Sequence, residues 1–167
     1  MLSELANYLS RIEDLRSQIA ALIQGLSVDQ LNWRPFDQDS GSEFNSLAIL
    51  VAHITGAEQF WIGEVVGCFP VHRNRDLEFK TIAQSINDLT QLLSQTSMIT
   101  NKILTNLSSE KLDEIRLVEN RPVPVRWAIL HVIDHTALHL GHMQITRQLA
   151  TNGLNNLASP FWYQRLP

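Results

Sequence analysis

Along four long segments of this chain, apolar residues recur every three or four positions. In the first, Leu5, Leu9, Ile12, Leu15, Ile19, Leu22 and Leu26 form one stripe of an amphipathic helix that ends near Gly25. SVDQL follows, where Ser27 and Gln30 make a capping box that starts a short helix. That helix stops before Arg34-Pro35, because the residue preceding a proline is pushed out of the helical region. Beyond the loop DQDSGSEFN, with Asn45 or Ser46 as N-cap, a second long helix carries Leu47, Leu50, Val51, Ile54, Trp61 and Val65 and ends at Gly67. The polar, proline-marked CFPVHRNRDLEFK reads as a loop. A third helix is expected from about Thr81 to Leu107, with Ile82, Ile86, Leu89, Leu93, Ile99 and Ile103 on one side. SSEKLDEIRLVENRPVP then reads as a short helical turn followed by extended chain. The last helix begins near Val123 and runs to about Thr151, with Gly153 just past its end as a stop signal. The tail NNLASPFWYQRLP holds three adjacent aromatics and is expected to pack back on the body.

Four amphipathic helices without an alternating strand pattern imply an all-α fold, an antiparallel or crossover four-helix bundle. A short echo, Leu26-Ser27 to Leu31 after the first helix and Leu107-Ser108 to Leu112 after the third, suggests two similar halves. At 167 residues the chain is expected to be one domain spanning 1–167, long enough to bury a core without cross-links. Hydrophobic residues at 44% and charged residues at 18% are an ordinary globular balance, so neither disorder nor a fibrous repeat is indicated. The net charge of −4, with scattered Lys and Arg, provides no basic footprint for nucleic acid. A lone cysteine, Cys68, excludes an intramolecular disulfide and fits a reducing compartment. The first residues lack the apolar core of a signal peptide, and no run reaches the ~20 apolar residues that span a bilayer. A cytoplasmic protein is the expectation.

Chemistry enters with HVIDHTALHLGHM, residues 131–143, which holds four of the six histidines. At about 100° per residue, His131, His135, His139 and His142 fall within an arc of roughly 80°. Leu138, Ile145 and Leu149 share that arc, so it is expected to face the bundle interior. Imidazoles four residues apart on a helix stack closely enough to converge on one metal ion. His131 and His139 are about 12 Å apart along the axis, so one ion uses a pair and borrows a third ligand from another helix. His53, mid-helix beside Leu50, Ala57 and Phe60, is the candidate. Three histidines leave a coordination position open, the pattern of a catalytic rather than a structural site. Spacing leaves the pairs 131/135, 135/139 and 139/142 open, and the competing explanation is a set of hydrogen-bonded packing histidines. Glu58 and Asp134 are candidates to orient the rings from behind.

Other chemistries fit less well. His135-Thr136-Ala137-Leu138-His139 lacks the glutamate of the zinc-protease pattern, and there is neither a glycine-rich phosphate loop nor a nucleophile elbow. Cys68, beside Phe69 and Pro70, is expected to be a buried or incidental thiol. The patch His72-Arg73-Arg75 is expected to be a solvated loop rather than an anion site.

GLSVDQLNWRP, SLAILVAHITGAEQFWIGEVVG and LHVIDHTALHLGHMQITRQL, in this order and spacing, resemble the DinB/YfiT-like superfamily from the first helix to Gly153. The resemblance implies a four-helix bundle in which a divalent metal is held by one histidine of the second helix and an H-x-x-x-H pair of the last. Those positions are His53, His135 and His139 here. It also implies zinc or nickel, either of which suits an all-imidazole set, a small-molecule substrate and a homodimer. The implied activity is a metal-dependent hydrolase or a transferase using a low-molecular-weight thiol; the alternative is a non-catalytic stress-response bundle. Thr136 stands where many relatives have Glu, and Leu140 where many have Arg or Asn. The Gly141-His142 pair is similar to the branch of thiol-dependent actinobacterial enzymes. His142 is then the candidate proton shuttle or substrate contact, and His131 a packed neighbour.

Overall fold

A computed structural model of the chain describes residues 3–35, 44–70 and 72–153. The aromatic tail and most of the loop before the second long helix lie outside the described residues. Four long helices form a bundle: α1 (Glu4–Ile23), α3 (Leu47–Glu58), α5 (Ile86–Asn106) and α6 (Val125–Ala150). Two short helices, α2 (Val28–Asn32) and α4 (Arg75–Glu78), flank α3, and a hairpin of β1 (Ile115–Val118) and β2 (Arg121–Pro124) precedes α6. Both α1 and α3 pack against both α5 and α6, which places α1 and α3 on one diagonal of the bundle. Among the described residues no helix is long and apolar enough to cross a membrane.

Local chemistry explains most boundaries. Ser46, not Asn45, caps α3, accepting from the Ile49 amide at 3.3 Å. Ser27 and Gln30 form the expected reciprocal capping box on α2. Gly25 and Gly153 take φ of +74° beyond the ends of α1 and α6, where a side chain would be strained. The third long helix starts later than the periodicity predicts: Ser85 and Asp88 cap one another at its start, leaving Ile82 outside the helix and exposed. The segment expected to be merely extended pairs with itself. Glu119 and Asn120 both adopt positive φ, the two-residue turn whose twist suits a hairpin. Val123 therefore belongs to β2, and the last helix begins after Pro124. CFPVHRNRDLEFK, expected to be loop throughout, contains α4, whose first turn is capped by Asn74.

The core is split into two apolar clusters. One gathers Leu15, Ile19, Ile23, Leu31, Leu50 and Leu140; the other gathers Ile12, Ile62, Leu104, Leu112, Val125 and Ile129. The sequence echo marks this division, since Leu31 and Leu112, both fully buried, serve one cluster each. Between the clusters every long helix contributes buried polar residues: Arg16, Glu58, Thr96, Thr100 and Thr136. At that level α3 continues from Glu58 into a π-helical stretch, Gln59–Val66, which changes the residues facing inward to Ile62, Val65 and Val66. Such insertions recur near functional sites. At the far end of α6, Arg147 donates to the carbonyls of Leu22 and Gln24, satisfying the C-terminus of α1.

Candidate metal centre

His53 is buried because α3 is. The helix is apolar on all sides, with every residue except Gly56 buried, as expected of a helix enclosed by its neighbours. A buried imidazole needs partners for both nitrogens. The Nδ1 of His53 lies 3.0 Å from Oε2 of Glu78 on α4. Arg73 holds the same carboxylate in a fork, Nε to Oε1 at 2.6 Å and Nη2 to Oε2 at 2.8 Å. Phe79 covers the imidazole at a centroid distance of 5.0 Å, and the Arg75 guanidinium lies 5.0 Å above the Phe79 ring. Gly56 makes the approach possible, for a Cβ there would collide with the Glu78 carboxylate. The supposed loop is thus the support of His53, and Arg73 is an ion-pair partner rather than part of a solvated patch.

A carboxylate only accepts, so the His53 proton resides on Nδ1 and Nε2 carries a lone pair. His135 Nε2 on α6 lies 3.2 Å from that Nε2. The ring of His139, one turn along, sits 5.0 Å from His53 and 4.5 Å from His135. One nitrogen from each of His53, His135 and His139 can be chosen so that all lie within 4.8 Å of one another. Two nitrogens on one tetrahedral zinc are about 3.3 Å apart, given bonds of about 2.0–2.1 Å. The His53–His135 separation already fits. For both to face an ion with lone pairs, His135 must carry its proton on Nδ1.

Electrostatics keeps the three rings uncharged. Burial lowers the pKa of His135 to about 3, aided by repulsion from His139 and His53. Burial likewise lowers His139 to about 4, with His53 and His142 contributing. For His53 burial outweighs the opposing pull of Glu78, so its pKa is also lowered. All three are neutral imidazoles at pH 7, the form that binds metals.

Its remaining histidines separate. His131 stacks on Trp127 at 4.9 Å and 6°, with Trp61 edge-on at 4.9 Å, an aromatic neighbour of the triad. His142 Nδ1 meets His139 Nδ1 at 3.3 Å, leaving His139 Nε2 as that ring's free nitrogen. Two expectations about orientation require correction. Leu138, Ile145 and Leu149, expected inside, are 61%, 59% and 52% exposed. The inward face of α6 is Val125, Ala128, Ile129, Val132, Thr136, Leu140 and Met143, and the histidine arc lies at its margin. Neither predicted supporting carboxylate bonds a triad histidine: Glu58 bonds Arg16 and Thr100, and Asp134 is exposed, its charge acting on His131. Glu78, which does the task, gave no signal because it lies 25 residues from His53 in a segment without periodicity. Cys68 is exposed beside Arg116.

A model of the mycothiol-S-transferase family matches residues 7–152. The chain belongs to this DinB-like family. No curated protein matches it. Among solved structures, a conserved protein from Enterococcus faecalis superposes with a TM-score of 0.69, covering 91% of this chain and 99% of its own. At 15% identity that likeness shows the shared helical fold.

Proposed function

We propose that the chain is a metal-dependent S-transferase joining a low-molecular-weight thiol to a small electrophile, with His53, His135 and His139 as metal ligands. The observation that carries this is the convergence of three neutral imidazoles, one of them locked by Glu78 with its Nε2 lone pair toward the others. A carboxylate behind a histidine is a common support for metal ligation, because it fixes the tautomer and strengthens the ligand. Three ligands leave room for a further one. Zinc or nickel suits the donor set. Family membership favours the thiol over water as nucleophile.

A bound divalent ion would supply a Lewis acid that lowers the pKa of a thiol. The protein's own residues supply the rest. Glu78 and Arg73 hold His53 in orientation, His142 holds the tautomer of His139, and the aromatic cover of Phe79 excludes water from the His53 side. Transfer forms one S–C bond and breaks one bond from carbon to the leaving group, which departs with the electron pair. The thiol proton leaves to water, because His142 accepts from His139 through Nδ1 and so carries its own proton on the outer nitrogen.

The test measures metal and turnover together. Protein purified without a histidine tag and supplied with zinc or nickel is expected to hold one ion per chain and to conjugate a thiol to a neutral aryl or alkyl halide. His139→Ala is expected to lose both. Absence of stoichiometric metal in the wild type would overturn the site. Metal without thiol conjugation, but with a large loss of melting temperature on chelation, would make the ion structural.

A further inference from the structure

His139 of the triad, with His142, lines a groove beside the bundle. This cavity, about 820 Å³, follows α6 from His139 and His142 past Ile145 and Leu149 to Asn152. The eleven helical steps from His139 to Ala150, at 1.5 Å each, give it a length of roughly 16 Å along α6. Trp33, Pro35, Phe44 and Leu50 form the facing wall. None of its described lining residues is Asp, Glu, Lys or Arg, and Thr146 already donates to the His142 carbonyl. Ile145, Leu149 and Phe44 are all more than half exposed along one trench, an arrangement water disfavours.

A second cavity, of about 280 Å³, offers the contrast. It lies between α3 and α4, and Arg73, Glu78, His72 and Gln59 line it, but none of the three triad histidines does. The charged side chains of the small cavity stand behind His53, and Arg73 and Glu78 already pair with each other. An apolar ligand finds its surface in the groove that His139 shares. A charge in that groove would find no oppositely charged side chain among the described lining residues.

From this we infer that the electrophile is neutral, with an elongated alkyl or aryl body lying between Ile145 and Leu149 on one side and Trp33 and Leu50 on the other. Its reactive carbon sits at the His139–His142 end. The word electrophile rests on the thiol-transfer proposal; the preference of the groove for a neutral apolar occupant does not. Burying one methylene is worth about a fourfold gain in affinity, so chain length provides the readout.

The experiment is a fluorescence titration of the full-length protein with the neutral dye N-phenyl-1-naphthylamine, with metal supplied and again after chelation. The dye is expected to saturate at one per chain in both states. Linear alkanols from butanol to octanol are expected to displace it, each added methylene tightening competition about fourfold. Leu149→Asp, at an exposed position that the fold tolerates, is expected to weaken dye and alkanol at least tenfold, and Ile145→Asn to do so less. Chelation that leaves dye binding intact while abolishing conjugation keeps the groove separate from the metal proposal. Non-saturable binding, equal competition by alkyl carboxylates or alkylammonium ions, or indifference to both substitutions would overturn the inference. A shift from dimer to monomer in Leu149→Asp on size exclusion would also overturn it, by assigning the trench to a second copy of the chain.

Discussion

Glu58 and Glu78 are both buried carboxylates packed on or beside α3, yet they serve opposite ends of the molecule's economy of charge. Glu58, the last residue of α3, bonds Arg16 of α1 and accepts from Thr100 of α5 at 2.5 Å. It ties three helices together between the two apolar clusters and touches no histidine. Glu78 lies on a four-residue helix, is gripped by Arg73 five residues earlier, and spends its remaining contact on His53. The first neutralises a charge the core has enclosed; the second orients a neutral ring. A buried carboxylate is therefore read by its partners, not by its burial or its nearness in sequence to a functional residue.

Removing each in turn sharpens the contrast, and the largest effect belongs to Glu58. Glu58→Ala strands the Arg16 guanidinium in the core and is expected to cost about 3–5 kcal/mol in denaturant unfolding. Bound metal per folded chain is expected to stay unchanged. The paired replacement Arg16→Met with Glu58→Leu should recover most of that loss, since apolar isosteres of a buried ion pair are often neutral or better. A fall in metal affinity on the scale of the Glu78 variant would erase the distinction.

Next comes Glu78→Gln. Loss of the charge behind His53 is expected to weaken metal binding about 10–100-fold, measured by competition with a chromophoric chelator. Unfolding stability should fall by less than in Glu58→Ala, because Arg73 can turn to solvent. Unchanged affinity would remove Glu78 from the proposed metal centre.

A third test is pH. His135 and His139 have folded pKa values of about 3 and about 4 against an ordinary 6.5, so the unfolded chain binds more protons in that window. Their contribution is at its full value above about pH 6.5. It is lost progressively as pH falls, until the folded groups protonate near 4 and 3. Chelator-treated protein should therefore unfold more readily at pH 5 than at pH 7. The dependence should flatten when both residues are replaced by Gln. A wild-type profile no steeper than that of the double variant would contradict the burial of these rings.

Much of the candidate site, the convergence of His53, His135 and His139, was legible in the sequence. The i,i+4 pair His135/His139 follows from helical spacing as one of three possibilities, and the resemblance selects it and joins His53 to it. What misled was the hydrophobic wheel of α6. Leu138, Ile145 and Leu149 look like core because they are large and share the histidine arc, whereas the buried face runs through Ala128, Thr136 and Met143. A helix with apolar residues on several faces has no unique inward direction until its neighbours are placed.

Local interactions determined the rest of what could be read directly. The caps at Ser27 and Ser46, the glycines at 25 and 153 and the stripes of α1 and α5 are settled within a few residues, so the sequence alone yields four long helices and their approximate ends. The pairing of Glu78 with His53 spans 25 residues, and that of Arg16 with Glu58 spans 42. Neither leaves a periodic trace, because one partner in each pair is chosen by where α4 or α1 comes to rest. Only the packed bundle decided which carboxylate would face an imidazole, and which would face a guanidinium.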